Sequence, residues 1–384
     1  MTLQELRLWF CASMTDNAVK RRLITRFGGP AEVYAADVTK LCDVGELSEI
    51  EAERLAGTRT EKYTEQLIRS LDRAESRFMW HEETKFPMAF REIDDPPFGI
   101  FYSGELPRDS ECFLSVVGTR LCSPYGTDVA TEFCRILAEA GVVIVSGMAL
   151  GIDGCAHRGA LDGRGRTVAV LGSGIGRAYP ADHKDLYAQI VQNGCVISEY
   201  APGVPGLKHH FPHRNRLIAA LGDALLVVEA KLKSGTMITV DRALEQGKEV
   251  FAIPGRITDR NSDGCHRLIK QGAQLVTDPA EILAIMREKP AFSQVAGTLE
   301  DSDGQLYLPI LSEYTEKNTK LPLASNEKMV YASLRLSPKS FDQLVWECGL
   351  TPASLSRALY ALSQSERIRQ TRDGLYFARE SRFR

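Results

Sequence analysis

Glycine and small hydroxyl residues recur along the middle of this 384-residue chain, each time at or soon after the end of a short apolar stretch. Four such clusters are Gly118-Thr119-Arg120, Ser146-Gly147, Gly172-Ser173-Gly174 and Ser234-Gly235-Thr236. Glycine lets the backbone approach a ligand closely, and the first N–H groups of a following helix have no partner within that helix. Both features suit a phosphate, so the clusters predict anion binding.

The sequence lacks the motifs that would turn anion binding into a reaction. It contains neither a Gly-x-x-x-x-Gly-Lys-Ser/Thr phosphate loop nor a Gly-x-Ser-x-Gly nucleophile elbow. Gly172-Ser-Gly-Ile-Gly176 follows the third predicted strand and is not followed by the acidic residue of a ribose-binding site. Asp153 can cap a helix as readily as act as a base. We predict that the protein is not an enzyme and needs no cofactor or metal.

Cationic residues accompany these loops although the protein as a whole is acidic, with a net charge of -3. Charges spread over several strand ends suit a long anion better than a single nucleotide. For any one of them, the alternative of a solvated surface charge stays open. The residues are Arg120, Arg177, Lys184, Lys208, Arg214, Arg216, Lys231, Lys233, Lys248, Arg256 and Arg260.

The segment Phe211-Pro-His-Arg-Asn-Arg216 is the densest of these. We expect a helix to begin there, with one arginine reaching outward and the other bracing the end of the sheet. Phe211 can stack on a base or fill the core, and the sequence leaves both open. His209, His210 and His213 lack a partner at metal-ligand spacing, so ordinary surface histidines are favoured over a metal site.

Cysteine use and hydropathy indicate a cytoplasmic protein. The nine cysteines are scattered and never form a C-x-x-C pair, which argues against a disulfide framework and for a reducing compartment. The most apolar stretches are strand-sized, so we expect no contact with a membrane.

Short apolar strands alternate with amphipathic helices through the centre of the chain. This pattern is typical of a parallel sheet covered on both faces, a Rossmann-like doubly wound α/β fold, in which ligands bind beyond the carboxyl ends of the strands. Strands are predicted at Phe113–Val117, Val142–Val145, Thr167–Leu171, Val196–Ile197, Ala224–Val228, Val250–Ala252 and Leu275–Val276.

Two smaller domains flank this region in the predicted organisation. Residues 1–82 have a helical pattern to about Trp80, like that of SAM or helix-hairpin-helix domains. Residues 83–290 form the Rossmann-like domain, 291–325 a linker, and 326–384 three helices plus a hairpin, which is a winged-helix arrangement. An extended connector, Phe86–Leu106, contains the apolar stretch Phe98–Tyr102 and is expected to add an edge strand.

The central motifs resemble those of the DNA-processing protein A (DprA, also called Smf) family. The resemblance rests on seven ordered motifs over about 140 residues. Two departures are Thr119 for the usual serine and Cys265-His266 for the usual Ser-Asn. The motifs are Gly118-Thr-Arg120 with Tyr125-Gly126, Ser146-Gly-x-Ala-x-Gly-Ile-Asp153, Ala169-Val-Leu-Gly-Ser-Gly174 with Tyr179-Pro180, Ser198-Glu-Tyr-x-Pro-Gly203, Phe211-Pro-x-Arg-Asn-Arg216, Val227-Val-Glu-Ala230 with Ser234-Gly235, and Val250-Phe-Ala-Ile-Pro-Gly255.

The resemblance implies a mediator of recombination and natural transformation that binds single-stranded DNA in a basic pocket, forms a homodimer through the Rossmann-like domain and loads the RecA recombinase. It places basic DNA contacts on Arg120, Lys184, Arg214 or Arg216, and Lys248. Together with the loop clusters, the predicted DNA-binding residues are Gly118, Thr119, Arg120, Ser146, Gly147, Gly172, Ser173, Gly174, Lys184, Phe211, Arg214, Asn215, Arg216, Ser234, Gly235, Thr236 and Lys248.

An enzyme that processes nucleoside monophosphates on a related Rossmann frame is the alternative hypothesis. Phosphoribohydrolases of that kind carry a Pro-Gly-Gly-x-Gly-Thr-x-x-x-Glu signature. The corresponding stretch is Lys233-Ser-Gly-Thr-Met-Ile-Thr-Val-Asp241, which lacks the double glycine and the glutamate. The winged helix offers Arg357 on its third helix and Arg367, Arg369 and Arg372 on its wing, which favours backbone contact or protein binding over base readout.

Overall fold

The structure is a computed structural model that describes residues 1–286, except 14, 15 and 46, and residues 325–378, except 337, 366, 372 and 373. The chain divides into two compact units, Met1–Ala296 and Gly297–Arg384. The predicted linker, residues 291–325, lies outside the described residues apart from Ser325. In the parts of the chain that the structure describes, no helix has both the length and the apolar character needed to cross a membrane.

Helices build the N-terminal region, as predicted. Capping boxes start two of them, because Thr2 and Ser48 each accept from the third helical N–H while the glutamate at that position bonds back. Trp9 and Phe10 are fully buried. The helices are α1 (Leu3–Ala12), α2 (Asn17–Phe27), α3 (Pro30–Ala35), α4 (Val38–Gly45), α5 (Glu49–Gly57) and α6 (Glu61–Arg73).

A nine-stranded sheet forms the centre of the first unit. Its strands are β1 (Arg77–Trp80), β2 (Gly99–Gly104), β3 (Phe113–Val117), β4 (Val143–Ser146), β5 (Thr167–Leu171), β6 (Gly194–Ser198), β7 (Ala224–Val227), β8 (Glu249–Ala252) and β9 (Gln274–Leu275). They lie in the order β1-β2-β6-β5-β4-β3-β7-β8-β9. The pairs from β6 to β9 are parallel, whereas β1 and β2 are antiparallel additions.

Helices cover the sheet and confirm the doubly wound α/β fold. They are α7 (Met88–Arg91), α8 (Pro124–Glu139), α9 (Ile152–Asp162), α10 (Lys184–Asn193), α11 (His210–Leu221), α12 (Gly235–Glu245), α13 (Asp263–Lys270) and α14 (Pro279–Met286). Every residue of β3 to β7 is buried, as a sheet covered on both faces requires. Chain order reverses between β3 and β7, which is the point where such sheets open a crevice for ligands.

The first unit differs from the prediction at residues 77–80, which form strand β1 rather than the end of a helix. β1 pairs with β2, and β2 pairs in turn with β6. The predicted edge strand is β2, but β1 pairs with its outer side and forms the actual edge of the sheet. The predicted boundary after residue 82 falls between these paired strands.

The second unit is a winged helix, as predicted. Its helices are α15 (Ser325–Leu336), α16 (Phe341–Cys348) and α17 (Pro352–Gln364), and its hairpin joins β10 (Ile368–Gln370) to β11 (Tyr376–Ala378). Leu344, Leu355 and Leu362 lie in its core. Gly349, at a φ of 58°, ends α16 in the left-handed conformation that glycine tolerates. Arg372 and Asp373 of the predicted wing lie outside the described residues.

The N-terminal helices share a hydrophobic cluster with the sheet, so we expect a core substitution in α1 to destabilise the first unit. The Phe10 ring meets the Phe98 ring edge-on, with centroids 5.5 Å apart. Phe10→Ala should lower the free energy of unfolding by about 3–5 kcal/mol in urea titrations followed by circular dichroism. Leu3→Ala, at a side chain that is 54% exposed on the same helix, should change it by less than about 0.5 kcal/mol. Equal effects would contradict a shared core.

Candidate nucleic-acid interface

The loops that follow the parallel strands meet at one edge of the sheet, which we call the carboxyl edge. Parallel strands place all their carboxyl ends on the same side. The structure therefore brings together Gly118–Arg120 after β3, Ser146–Gly147 at the end of β4, Gly172–Gly174 after β5 and Ser234–Thr236 after β7. The start of α11, with Phe211, also lies at this edge.

Arg120, Phe211 and Tyr179 form a cluster at the carboxyl edge, here called the stacking cluster. The Arg120 guanidinium carbon lies 5.3 Å from the centre of the Phe211 ring, a cation–π arrangement. The Phe211 and Tyr179 rings are 5.3 Å apart at 35°. Arg120 is exposed, Phe211 is half-buried, and Tyr179 is 46% exposed. The cluster presents an aromatic surface and a cation to solvent side by side.

Gly172 makes room for this cluster. A Cβ atom at residue 172 would lie 2.8 Å from Phe211 Cδ1, closer than side chains tolerate. A larger residue would push the Phe211 ring away from the end of β5. The group that comes close to the Gly172 backbone is therefore the Phe211 ring of the same chain.

Further cations are exposed along the carboxyl edge. Lys184 starts α10, Lys208 precedes α11, and Lys231 and Lys233 lie in the loop between β7 and α12. Exposed Lys and Arg attract phosphates over distances up to about 10 Å at moderate salt. These side chains extend the positive surface well beyond Arg120 on both sides.

Arg214 braces the sheet from within. Its side chain is only 4% exposed. Nη1 donates to the carbonyl oxygen of Gly147 at 2.9 Å and to that of Val170. Burial lowers the pKa of Arg214 to about 10, opposed by the nearby Asp153 carboxylate. The guanidinium therefore ties α11 to the carboxyl ends of β4 and β5, in the bracing role that the sequence predicts for one of the two arginines.

Arg216 is buried as well, so the expectation that one arginine of the pair reaches outward is wrong. Its Nε donates to Asp95 Oδ2 at 3.0 Å and its Nη2 to Glu199 Oε1 at 2.8 Å. Asn17 of α2 donates to the same Glu199 oxygen at 3.0 Å. The interaction joins α11, the end of β6 and the N-terminal helices. Neither residue is predicted from the sequence as a partner of Arg216, since Glu199 is quoted only as part of a motif and Asp95 is not named.

The side chain of Glu229 lies at the amino end of α8. Glu229 is 1% exposed and accepts from the Ser123 amide at 2.9 Å, and also from the Ser123 hydroxyl. Ser123 in turn caps the helix through the Gly126 amide at 3.1 Å. The expectation of a phosphate on the first amides of α8 is therefore wrong, because a buried carboxylate fills the position.

Gly118 is likewise explained by packing. A Cβ atom there would lie 2.4 Å from Ile152 Cγ1, at the start of α9. The Ile152 amide donates to the Thr119 carbonyl oxygen at 3.2 Å, which fixes α9 against this loop. Thr119 keeps a hydroxyl at the edge, where it accepts from the Leu121 amide at 3.3 Å.

The amino end of α12 is open, in contrast to that of α8. Ser234 makes no capping hydrogen bond to any described residue, and no described heavy atom lies within 4 Å of the position a Gly235 Cβ would take. Asn215 donates to the Gly235 carbonyl oxygen at 3.3 Å. Thr236 is buried. Gly235 itself is exposed, so the start of α12 faces solvent.

Four predicted contacts are not exposed at the carboxyl edge: Lys248 lies at the other edge of the sheet, and Ser146, Ser173 and Gly174 are buried. Lys248 precedes β8 at the opposite, amino edge of the sheet, so the structure does not bring it to the other residues. The Ser146 hydroxyl is fully buried and donates to the Val116 carbonyl oxygen at 2.7 Å. Ser173 is 6% exposed, and Gly174 packs against the Ala201 carbonyl oxygen.

The fold and the carboxyl edge define a Rossmann-like protein with a built cationic and aromatic surface, carrying a winged helix. Residues 77–287 match the family model described as DNA recombination-mediator protein A, and residues 315–374 match the DprA winged helix domain. The chain belongs to this DNA recombination-mediator protein A (DprA/Smf) family.

Similar proteins come from several bacteria. The chain is 47% identical over 199 residues to the DNA processing protein DprA of Streptococcus pneumoniae, covering 52% of this chain and 70% of that protein. It is 40% identical over 284 residues to the Smf protein of Escherichia coli, covering 70% and 75% respectively.

Solved structures agree with this assignment. The X-ray structure of DprA from Streptococcus pneumoniae superimposes with a TM-score of 0.63 at 34% identity, over 74% of this chain and 98% of that chain. A structure of DNA processing protein A from Helicobacter pylori, described as giving insight into its single-stranded DNA binding mode, superimposes with a TM-score of 0.50 at 30% identity. It covers 56% of this chain and 98% of that chain.

A double-mutant cycle tests whether Gly172 serves packing. Gly172→Ala should cost about 1–3 kcal/mol of unfolding free energy, because the new methyl group collides with the Phe211 ring. In a Phe211→Ala background most of that cost should vanish, giving a coupling of about 1 kcal/mol or more in urea titrations. If Gly172→Ala lowered the unfolding free energy by the same amount in that background, contact with Phe211 would not be the reason for glycine at residue 172.

Proposed function

We propose that the protein binds single-stranded DNA across the carboxyl edge and delivers it to the RecA recombinase, acting as a cytoplasmic homodimer without catalysing a reaction. Membership of a recombination-mediator family supports the general role. The single-stranded DNA binding described for the Helicobacter pylori relative supports the ligand. The residues that carry out binding are argued from this chain's own geometry.

The stacking cluster is the observation that carries the proposal. Unpaired bases offer flat faces that stack on aromatic rings, whereas a duplex hides them between neighbouring base pairs. Tyr179 offers an exposed ring beside Phe211, and Arg120 places a cation within reach of the adjacent phosphate. This combination selects for single strands without reading their sequence.

Exposed lysines on either side suit the length of the ligand. A strand that passes over the cluster meets Lys184 on one side and, towards α12, Lys231 and Lys233 on the other. Phosphate contacts of this kind release counterions, so the affinity falls steeply with salt. A net charge of -3 discourages binding elsewhere on the surface and concentrates DNA at this edge.

Polar side chains at the carboxyl edge that could act in catalysis are hydrogen-bonded within the protein, which supports a binding role over a catalytic one. Asp153, the carboxylate best placed to act as a base, is 8% exposed, accepts from the Ala149 amide at 3.3 Å and neighbours Arg214. Ser146 donates to a backbone carbonyl. Both side chains hold the loop after β4 in shape.

Substitution of Arg120 tests the electrostatic part of the proposal. Arg120→Gln should weaken binding to an oligo-dT strand about tenfold and reduce the slope of log affinity against log salt by about 0.7, because one phosphate contact is lost. Fluorescence anisotropy at several salt concentrations measures both quantities. Arg164→Gln, which removes another exposed charge ahead of the amino end of β5, is the matched control and should bind like the wild type. Similar losses in both variants would refute a localised site.

Substitution of Phe211 tests the stacking part. Phe211→Leu keeps an apolar side chain but removes the ring that supports Tyr179 and Arg120, so affinity for oligo-dT should fall about 5- to 50-fold with the salt slope unchanged. The comparison needs the melting temperature of each variant, to confirm that the fold persists. A fully retained affinity would exclude the stacking cluster as the DNA platform.

A further inference from the structure

Three neighbouring loops of the carboxyl edge each expose an aliphatic side chain. Leu121 is 78% exposed, Leu232 46% and Ile257 89%. They follow β3, β7 and β8, which are consecutive in the sheet. Neighbouring strands lie about 4.8 Å apart, so the three strand ends form a row that spans about 10 Å. We call these three side chains the apolar track.

Cations alternate with the apolar track along the chain, and all five of them are exposed. They are Arg120 before Leu121, Lys231 and Lys233 on either side of Leu232, and Arg256 before Ile257, followed by Arg260. Single exposed hydrophobic residues are normal on a protein surface, so the repeat matters here rather than the exposure alone. An apolar side chain with an adjacent cation matches the base and phosphate that repeat along a nucleic-acid strand.

Asn261 joins the three loops to one another. It lies between β8 and α13, and its Nδ2 donates to the Leu121 carbonyl oxygen at 3.0 Å. Its own carbonyl oxygen accepts from the Ala230 amide, after β7, at 2.7 Å. The Tyr125 hydroxyl, at the start of α8, also donates to the Pro254 carbonyl oxygen at 2.7 Å. The backbone that carries the apolar track is therefore tied together across all three loops.

The carboxylates of these loops are engaged within the protein. Glu229 is buried and accepts from the Ser123 amide at 2.9 Å. Asp259 is half-buried, and its Oδ1 accepts from the Asn261 amide at 2.9 Å. Positive charge is therefore in excess around the apolar track.

We propose that the apolar track is a second DNA subsite, on which bases of the single strand pack after leaving the stacking cluster, with their phosphates on the neighbouring cations. The inference rests on the proposed function, because it extends the same strand from Arg120 towards β8. Arg120 links the two surfaces, since it contacts Phe211 and directly precedes Leu121.

Charge selects DNA over a protein as the occupant of the apolar track. The centre of a protein–protein interface is depleted in charged residues, whereas cations lie beside every side chain of this track. A base face contacts an aliphatic side chain without hydrogen bonds, so the subsite accepts every base. A duplex hides those faces between its base pairs, so the subsite also favours single strands.

A triple variant of the full chain, Leu121→Ser with Leu232→Ser and Ile257→Ser, removes the apolar track and leaves every cation in place. Fluorescence anisotropy compares its binding to oligo-dT with its binding to a strand of equal length in which abasic sugars replace the thymidines. We expect affinity for oligo-dT to fall about 5- to 20-fold with an unchanged salt slope, because apolar contacts and not phosphate contacts are lost. Affinity for the abasic strand should equal that of the wild type.

Ile50→Ser is the matched control, because it removes an isoleucine that is 71% exposed on α5. It should leave both affinities unchanged. Ile257→Ser alone, at the most exposed position of the track, should weaken oligo-dT binding about two- to threefold, and it serves if the melting temperature shows that the triple variant does not fold.

The outcomes separate this subsite from the proposed function. Unchanged affinity for oligo-dT, or an equal loss on the abasic strand, overturns the subsite, because the bases would then not contact the track. A shift from dimer to monomer in analytical ultracentrifugation, with DNA binding retained, would assign the track to a second copy of the chain and also overturn it. If Phe211→Leu weakens binding and the triple variant does not, only the subsite falls. If the wild type does not bind oligo-dT, both proposals fall.

Discussion

The burial of two guanidinium groups at the start of α11 is the constraint on which the candidate site depends. A buried charge is costly unless hydrogen bonds and opposite charges compensate for its loss of water. Arg214 meets this requirement with the carbonyl groups that end β4 and β5, and Arg216 meets it with Asp95 and Glu199. Both arginines lie on the helix that carries Phe211 in its first turn, so satisfying them also fixes the aromatic ring over the edge of the sheet.

The polar residues at the carboxyl edge therefore divide into two sets. Buried groups such as Arg214, Asp153 and Glu229 satisfy one another and the backbone, and they give the loops their shape. Exposed groups such as Arg120 and Lys184 face solvent and suit a polyanion. The division explains how an acidic protein can present a cationic surface: its interior charges are neutralised locally, while exposed cations such as Arg120 and Lys184 remain at the carboxyl edge.

The sequence predicts the architecture well, because all-apolar strands between amphipathic helices leave few alternatives to a covered parallel sheet. Strand β1 was missed because its four residues continue a helical pattern, and only pairing with β2 makes them extended. Glycines were harder to interpret. Gly118 and Gly172 make close approaches as predicted, but to Ile152 and Phe211 rather than to a ligand, and spacing alone does not reveal what a glycine faces. The position of Lys248 was also not predicted. It lies at the amino edge because it directly precedes β8, which runs parallel to the other central strands.

The central claim is that an unpaired strand runs across the carboxyl edge over the stacking cluster. Photo-cross-linking maps this path most directly, using an oligonucleotide that carries 5-iodouracil and mass spectrometry of the linked peptides. We predict cross-links on Tyr179 and Phe211 at the carboxyl edge. Cross-links confined to the surroundings of Lys248 at the amino edge, or to the winged helix, would contradict the account.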